Sequence, residues 1–285
     1  MLKYLIGCDP ELFLVDEKGS GKSAHNVIPG DKSNPFPVLN GAVQVDGVAA
    51  EFNIFPAATA DQFVGNIRDV LQELSERIEE KNPGLQLIVQ PTMTFDKTYF
   101  KKLPKKTKLL GCEPDFNVYT GSANPPPASN APFRTGGGHI HIGWTEGANV
   151  NDGAHQFDCI EATKQLDSVL YICSLLWDSD KERRTLYGKV GTYRPKHYGV
   201  EYRPLSNAWV ADPDLQKWVF NASTTCMEAI EDDVKFYHDY FQQDLIKDIK
   251  EDKDPPRLTL LEYHDYIQEE FQIPPLPEAY TRVHH

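Results

Sequence analysis

Between Ala60 and Glu80 the apolar residues fall at Phe63, Ile67, Val70, Leu71, Leu74 and Ile78, the spacing of one helix face. Asp61 lies near the start of this run and Asn82-Pro83-Gly84 stops it. The same period makes His155 to Trp177 the clearest helix and Asp180 to Leu186 a short one. It also predicts a long amphipathic helix over Asp212 to Phe241, carrying Leu215, Trp218, Val219, Cys226, Ile230 and Val234. Strand-like patterns cover Tyr4 to Val15, Ala42 to Ile54, Leu85 to Phe95, Phe133 to Trp144 and Val200 to Leu205. Pro10, in the middle of the first, predicts an edge position or a bulge that re-aims its neighbours.

Residues 16–41 and 121–132 are rich in Gly, Ser, Asn and Pro and read as long loops, and Lys101 to Lys108 as a solvated basic loop. Strands separated by long loops and helices, on no regular βαβ schedule, argue an α+β fold. There is no tandem repeat and no Rossmann glycine fingerprint. Gly19-Ser20-Gly21-Lys22-Ser23 lacks the first glycine of a P-loop at the required spacing. One catalytic domain over residues 1–246 is expected, with an acidic, proline-rich segment, residues 247–285, packing on it or extending from it.

Charge narrows the functional classes. The 285 residues carry 29 Lys and Arg against 42 Asp and Glu, a net charge of −13, so a general nucleic-acid surface is not expected. A local pocket for one nucleotide is compatible with that average. The longest apolar run, Val169 to Trp177, is interrupted by Ser174 and falls short of the roughly 18 residues a membrane span needs. The N-terminal residues lack the apolar core and cleavage site of a signal peptide. Five cysteines without CxxC spacing read as reduced thiols of a cytoplasmic protein, Cys159 and Cys173 facing a helix core.

The strongest chemical signal is Gly136-Gly137-Gly138-His139-Ile140-His141-Ile142-Gly143. In a strand, His139 and His141 share one face while Ile140 and Ile142 take the other, and the glycines permit close backbone approach. Asp9 with Glu11, Glu51 with Asn53, and Glu201 with Arg203 repeat the alternation. Ionised groups on a sheet face must be paired or bind metal, and mostly carboxylate donors suit Mg²⁺ or Mn²⁺. A cationic segment follows, with Arg183, Arg184, Lys189, Arg194 and Arg203 among glycines and tyrosines, suited to phosphate oxygens. Gly7-Cys8-Asp9-Pro10-Glu11 is echoed by Gly111-Cys112-Glu113-Pro114-Asp115, with Asn117 just beyond.

In this order these residues resemble the phage-encoded COOH–NH2 ligases of type 2, relatives of glutamine synthetase and glutamate–cysteine ligase. The matching segments are Gly7 to Phe13, Val45 to Asn53, Gly111 to Asn117, Arg134 to Gly143 and Leu186 to Asn207. The resemblance implies a curved antiparallel sheet with helices on its outer face, binding ATP and divalent cations on the concave face. It implies metal ligation by Glu11, Glu51, His139 and Glu201, with Asp9 a further candidate. Arg203 would contact transferred phosphate or a substrate carboxylate, joined by Arg184, Arg194 and Arg134. His141, Lys189, Asp115, Asn117 and Asn53 complete the expected substrate and nucleotide contacts.

The activity so implied is ATP-dependent amide formation: a carboxylate is phosphorylated to an acyl phosphate, and an amine then displaces phosphate. The substrates would be small-molecule or peptide carboxylates and amines, and the compartment the cytoplasm, the host's if the chain is phage-encoded. Three other readings use the same residues: phosphoryl transfer to a guanidino nitrogen, a metal-dependent hydrolase, and a nucleotide-binding module without turnover.

Overall fold

A computed structural model describes residues 4–108, 115–122 and 131–282. Its strands are β1 (Leu5–Cys8), β2 (Glu11–Val15), β3 (Gly21–Lys22), β4 (Phe36–Val38), β5 (Gly41–Asp46), β6 (Ala49–Ile54), β7 (Gln86–Ile88), β8 (Thr92–Thr94), β9 (Phe116–Asn117), β10 (Phe133–Thr135), β11 (Ile140–Gly143), β12 (Thr192–Lys196) and β13 (Gly199–Tyr202). The helices are α1 (Ala60–Lys81), α2 (Lys97–Lys102), α3 (Lys105–Lys108), α4 (Gly153–Leu166), α5 (Ile172–Ser174), α6 (Lys181–Leu186), α7 (Pro213–Glu231), α8 (Tyr240–Lys250), α9 (Arg257–Phe271) and α10 (Glu278–Thr281). Helix and antiparallel sheet are mixed without βαβ units, as the expected α+β class requires.

One sheet runs β1-β11-β13-β12-β9, a second β3-β2-β6-β5-β4 with β7 also on β2, and β10 pairs β8. Every ladder between these strands is antiparallel. The expected strand Tyr4 to Val15 is therefore two strands in two sheets. Pro10 has no N–H to give a ladder, and the chain turns there from one sheet into the other. Ala42 to Ile54 is a hairpin, reversed at Gly47 with φ of 58°. Phe133 to Trp144 likewise divides into β10 and β11, in separate sheets, with the three glycines between.

Other expectations also need correction. The basic run 101–108 is helical in part, with Phe100 and Thr107 buried. The expected helix Asp212 to Phe241 ends at Glu231. Asp233 reverses the chain at φ 58°, and a 3₁₀ turn leads into α8. Loop 16–41 contains β3 and β4, and Leu85 to Phe95 is two strands flanking Pro91. Strand β12 was hidden by Pro195, which is tolerated because β9 pairs only as far as Thr192 and Tyr193. Most of loop 121–132, together with Glu113 and the rest of the echo before Asp115, lies outside the described residues.

The helices cover the sheet faces that carry apolar residues. α4 packs on β12 and β13, α1 on β5 and β6, and α7 bridges both helices. Ile140, Ile142, Val200 and Tyr202 are buried in this core, so the alternate residues His139, His141, Glu201 and Arg203 project from the opposite face. Leu260, Tyr263 and Ile267 of α9 belong to the same core. No helix among the described residues is long and apolar enough to cross a membrane. Cys8, Cys159, Cys173 and Cys226 are buried free thiols.

The expected helix His155 to Trp177 is α4, a π-helical turn over Asp167–Tyr171, and α5. Asp167 at the start of that turn is fully buried and accepts a 2.8 Å hydrogen bond from Tyr202 Oη. Burial pushes its carboxyl up to about 7 despite the tyrosine bond. The folded state keeps its proton where the unfolded chain has lost it, so stability falls as pH rises from about 4 to about 7. The full penalty is at most about 4 kcal/mol. Asp167→Asn is expected to flatten this part of a urea-midpoint profile against pH; an unchanged slope would contradict the assignment.

Candidate active site

The strand registers place the expected residues in two rows on one sheet face. Across β1, β11, β13 and β12 the first row reads Gly7, His141, Glu201, Arg194. One step along the strands, Asp9, His139, Arg203 and Thr192 are linked through their backbones: Asp9 N–H donates to His139 O and Arg203 N–H to Thr192 O. Beyond the Pro10 corner, Glu11 stands opposite Glu51 in the β2–β6 ladder. Residues far apart in sequence thus reach one place because three antiparallel pairings converge there.

His139 Nδ1 and His141 Nε2 each lie 3.1 Å from Asp9 Oδ1. Asp9, His141 and Glu201 offer donor atoms all within 4.8 Å of one another. His139 is set deeper: Arg203 Nη1 is 3.4 Å from its Nδ1 and the Tyr187 hydroxyl 3.5 Å from its Nε2. Burial and the Arg203 charge hold the His139 imidazole down to about 4, so it is neutral at pH 7. Burial alone would raise Asp9, but the imidazoles of His141 and His139 overcome it and hold its carboxyl well below the usual range.

Glu201, 1% exposed, is ringed by cations: the Arg203 guanidinium, Arg194 Nη1 at 3.2 Å and Lys196 Nζ at 2.7 Å. Asp115 clamps the same arginines, 2.7 Å from Arg203 Nε and 3.0 Å from Arg194 Nη2. The second acidic group is looser. Burial and the Asp46 charge push Glu11 up to about 7, and burial with Asp9 raises Glu51 well above the carboxylate range. Lys32, from the long 16–41 loop, meets this group through Asp46 at 2.8 Å.

The glycines have a packing reason. A Cβ on Gly137 would sit 2.4 Å from His139 Nε2, and one on Gly138 2.2 Å from Ser206 O. The imidazole occupies the space that any larger residue would fill, and Gly137 N–H also donates to Glu11 Oε2 at 2.9 Å. Gly136 O accepts from Arg183 Nε at 3.2 Å, while Arg183 also donates to Pro204 O and Leu205 O at 2.8 and 2.6 Å. This fully buried guanidinium joins the histidine and glutamate segments from behind.

The face opens on a cleft of about 910 Å³ between the two sheets, lined by Asp9, Glu51, Asn53 and His141 and, towards its mouth, by Trp144, Glu146 and Tyr198. Among the described residues its lining holds three carboxylates and no Lys or Arg. Buried Glu51 Oε2 and His141 Nε2 have no hydrogen-bond partner; the 3.1 Å approach of His141 to Asp9 lacks bonding geometry. Orphaned donor atoms beside a carboxylate cluster fit a hard divalent cation, with Asp9, His141 and Glu201 grouped as donors and Glu51 lining the same cleft.

Asp9, Glu11, Glu51, Asn53, Asp115, His139, His141, Arg194, Glu201 and Arg203 are therefore assembled together. Four other expected residues are not. Arg184 turns away from the site, to Asp178 O at 2.9 Å and Asp254 at 3.1 Å. Arg134 holds the carbonyls of Ala131, Phe133 and Lys108. Asn117 donates to Val190 O at 2.9 Å, and Lys189 is exposed. Sequence reasoning passed over Tyr187 and Tyr198, although their segment was conspicuous. Tyr187 joins Arg203 to His139, and the Tyr198 hydroxyl bonds His141 Nδ1.

No curated protein shows significant similarity to the chain. Over residues 127–243, which hold the histidine strand, the arginine-rich segment and the Glu-x-Arg strand, the chain matches the family of phage phiEco32-like COOH–NH2 ligases of type 2, the ligase family its motifs resemble.

Proposed function

We propose that the chain is an ATP-dependent carboxylate–amine ligase built on a glutamine-synthetase-like sheet, working with Mg²⁺ or Mn²⁺ in a reducing cytoplasm. The observation that carries this reading is the pair of orphaned donors, Glu51 Oε2 and His141 Nε2, facing an acidic cleft backed by the Arg194–Arg203 clamp. A divalent cation held by Asp9, His141, Glu201 and Glu51 would neutralise phosphate oxygens as charge shifts between them.

The chain's own residues supply position and charge. With Nδ1 bonded to the Tyr198 hydroxyl, the His141 ring presents its Nε2 to the cleft. Arg194 and Arg203, fixed by Asp115, provide rigid forks for the oxygens of a phosphoryl group in transfer. The carboxylate substrate attacks the γ-phosphorus and ADP leaves; the amine then attacks the acyl carbon, phosphate leaves, and the amine gives up a proton. The acidic cleft favours an amine that arrives as its ammonium ion. Cys8, the thiol that lines the cleft among the described residues, is not poised as a nucleophile, since burial and Asp9 raise it well above its usual range.

The test is phosphate release from ATP with Mg²⁺ or Mn²⁺ and pooled amino acids and amines. Release that depends on an acid and an amine, with an amide found by mass spectrometry, is expected. A phosphoguanidine product would replace the ligase by a guanidino kinase, and ATP bound without any turnover would favour a binding module.

A further inference from the structure

A second cleft, of about 340 Å³, lies at the β9 edge of the five-stranded sheet, between α4, the 3₁₀ turn Phe236–His238 and α8. Tyr202, on the α4 face, and Glu201, on the opposite face, are successive residues of β13, so this cleft is across the sheet from the candidate active site. Its walls carry Lys164, Lys247 and Lys250, with Tyr119 and Tyr237 beside them.

In a chain with 42 acids against 29 bases, three lysines gather around one cleft, Lys247 and Lys250 exposed at it. Lys247 and Lys250 form no ion pair among the described residues, and Lys250 Nζ rests 4.9 Å above the Tyr119 ring. Lys164 comes no nearer than 3.9 Å to Glu161, a carboxylate already engaged by Lys235 at 3.1 Å and by the Tyr237 hydroxyl. At the floor, Gln242 is 2% exposed and lines the cleft.

We infer that this cleft is a binding site for a small polyanion, phosphate- or carboxylate-bearing, separate from the candidate active site. The lysines supply charge without the planar geometry of arginine, so they select for dense negative charge more than for shape. The Gln242 amide donates to one anionic oxygen, and the Tyr119 ring covers the apolar side of the ligand. The inference does not depend on the ligase reading.

The full chain, in the presence of chelator, is titrated calorimetrically with pyrophosphate and, separately, with citrate. Saturable binding of at least one probe is expected. Pyrophosphate alone identifies a phosphate ligand, and citrate alone a polycarboxylate. Lys247→Gln with Lys250→Gln should weaken binding about tenfold or more, as loss of charge-assisted bonds does. Arg194→Gln, across the sheet, should leave that affinity unchanged. The site is overturned by the absence of saturable binding of either probe at millimolar concentration. Affinity lost in Arg194→Gln but kept in the lysine variant overturns it equally.

Discussion

Glu201→Gln is expected to abolish measurable ligation and to destabilise the protein, two losses from one carboxylate. The side chain is 1% exposed and neutralises Arg203, Arg194 and Lys196. An amide leaves three cations around a neutral group, and breaking a buried charge network from one side costs about 3–5 kcal/mol. Urea unfolding should show this as a lower midpoint with unchanged slope. Turnover should fall about 10²–10³-fold or more, the scale of losing one electrostatic element of a charge-stabilising site. An unchanged midpoint would contradict the burial of this network, and full activity would remove Glu201 from the site.

Arg183→Met is expected to lower both stability and activity, and by more than Arg184→Met. Arg183 donates to the carbonyls of Gly136, Pro204 and Leu205 in a fully buried setting. Methionine fills much of the volume but offers no donor; Gly136 O and Leu205 O keep the backbone N–H groups of Asn207 and Gly138, while Pro204 O loses its donor, and a buried carbonyl left unpaired costs about 1–3 kcal/mol. Those carbonyls belong to the glycine run before His139 and to the turn after Arg203, so activity should fall along with stability. Arg184 donates to Asp178 O and reaches Asp254, whose side chain is 41% exposed, so it has fewer fully buried partners to lose. Equal urea midpoints for the two variants would reverse this ranking.

The contrast between these neighbours shows where sequence reading stops. Both were legible as members of one cationic segment, but which of them is buried depends on how α6 lies against the glycine run. The same holds for the histidines. Their spacing puts both on one face, yet only the packed structure sets His139 back between Arg203 and Tyr187 and leaves His141 Nε2 towards the cleft. Tyr187 and Tyr198 had no motif to mark them, because their role lies in a hydroxyl contact across strands or loops.

Local pattern by itself determined the α+β class, the helix over Ala60 to Glu80, the shared faces of His139 with His141 and Glu201 with Arg203, and the family resemblance. These follow from periods of 3.6 and 2 and from motif order, which neighbours in the chain enforce. Tertiary structure alone decided that Pro10 divides one apparent strand between two sheets, that Asp9 meets a histidine pair 130 residues away, and that Arg184 turns away from the site. Pairing between distant strands is not coded by local periodicity. It is chosen by which faces bury together, and here the glycines before His139 admit the imidazole only once the strands have closed.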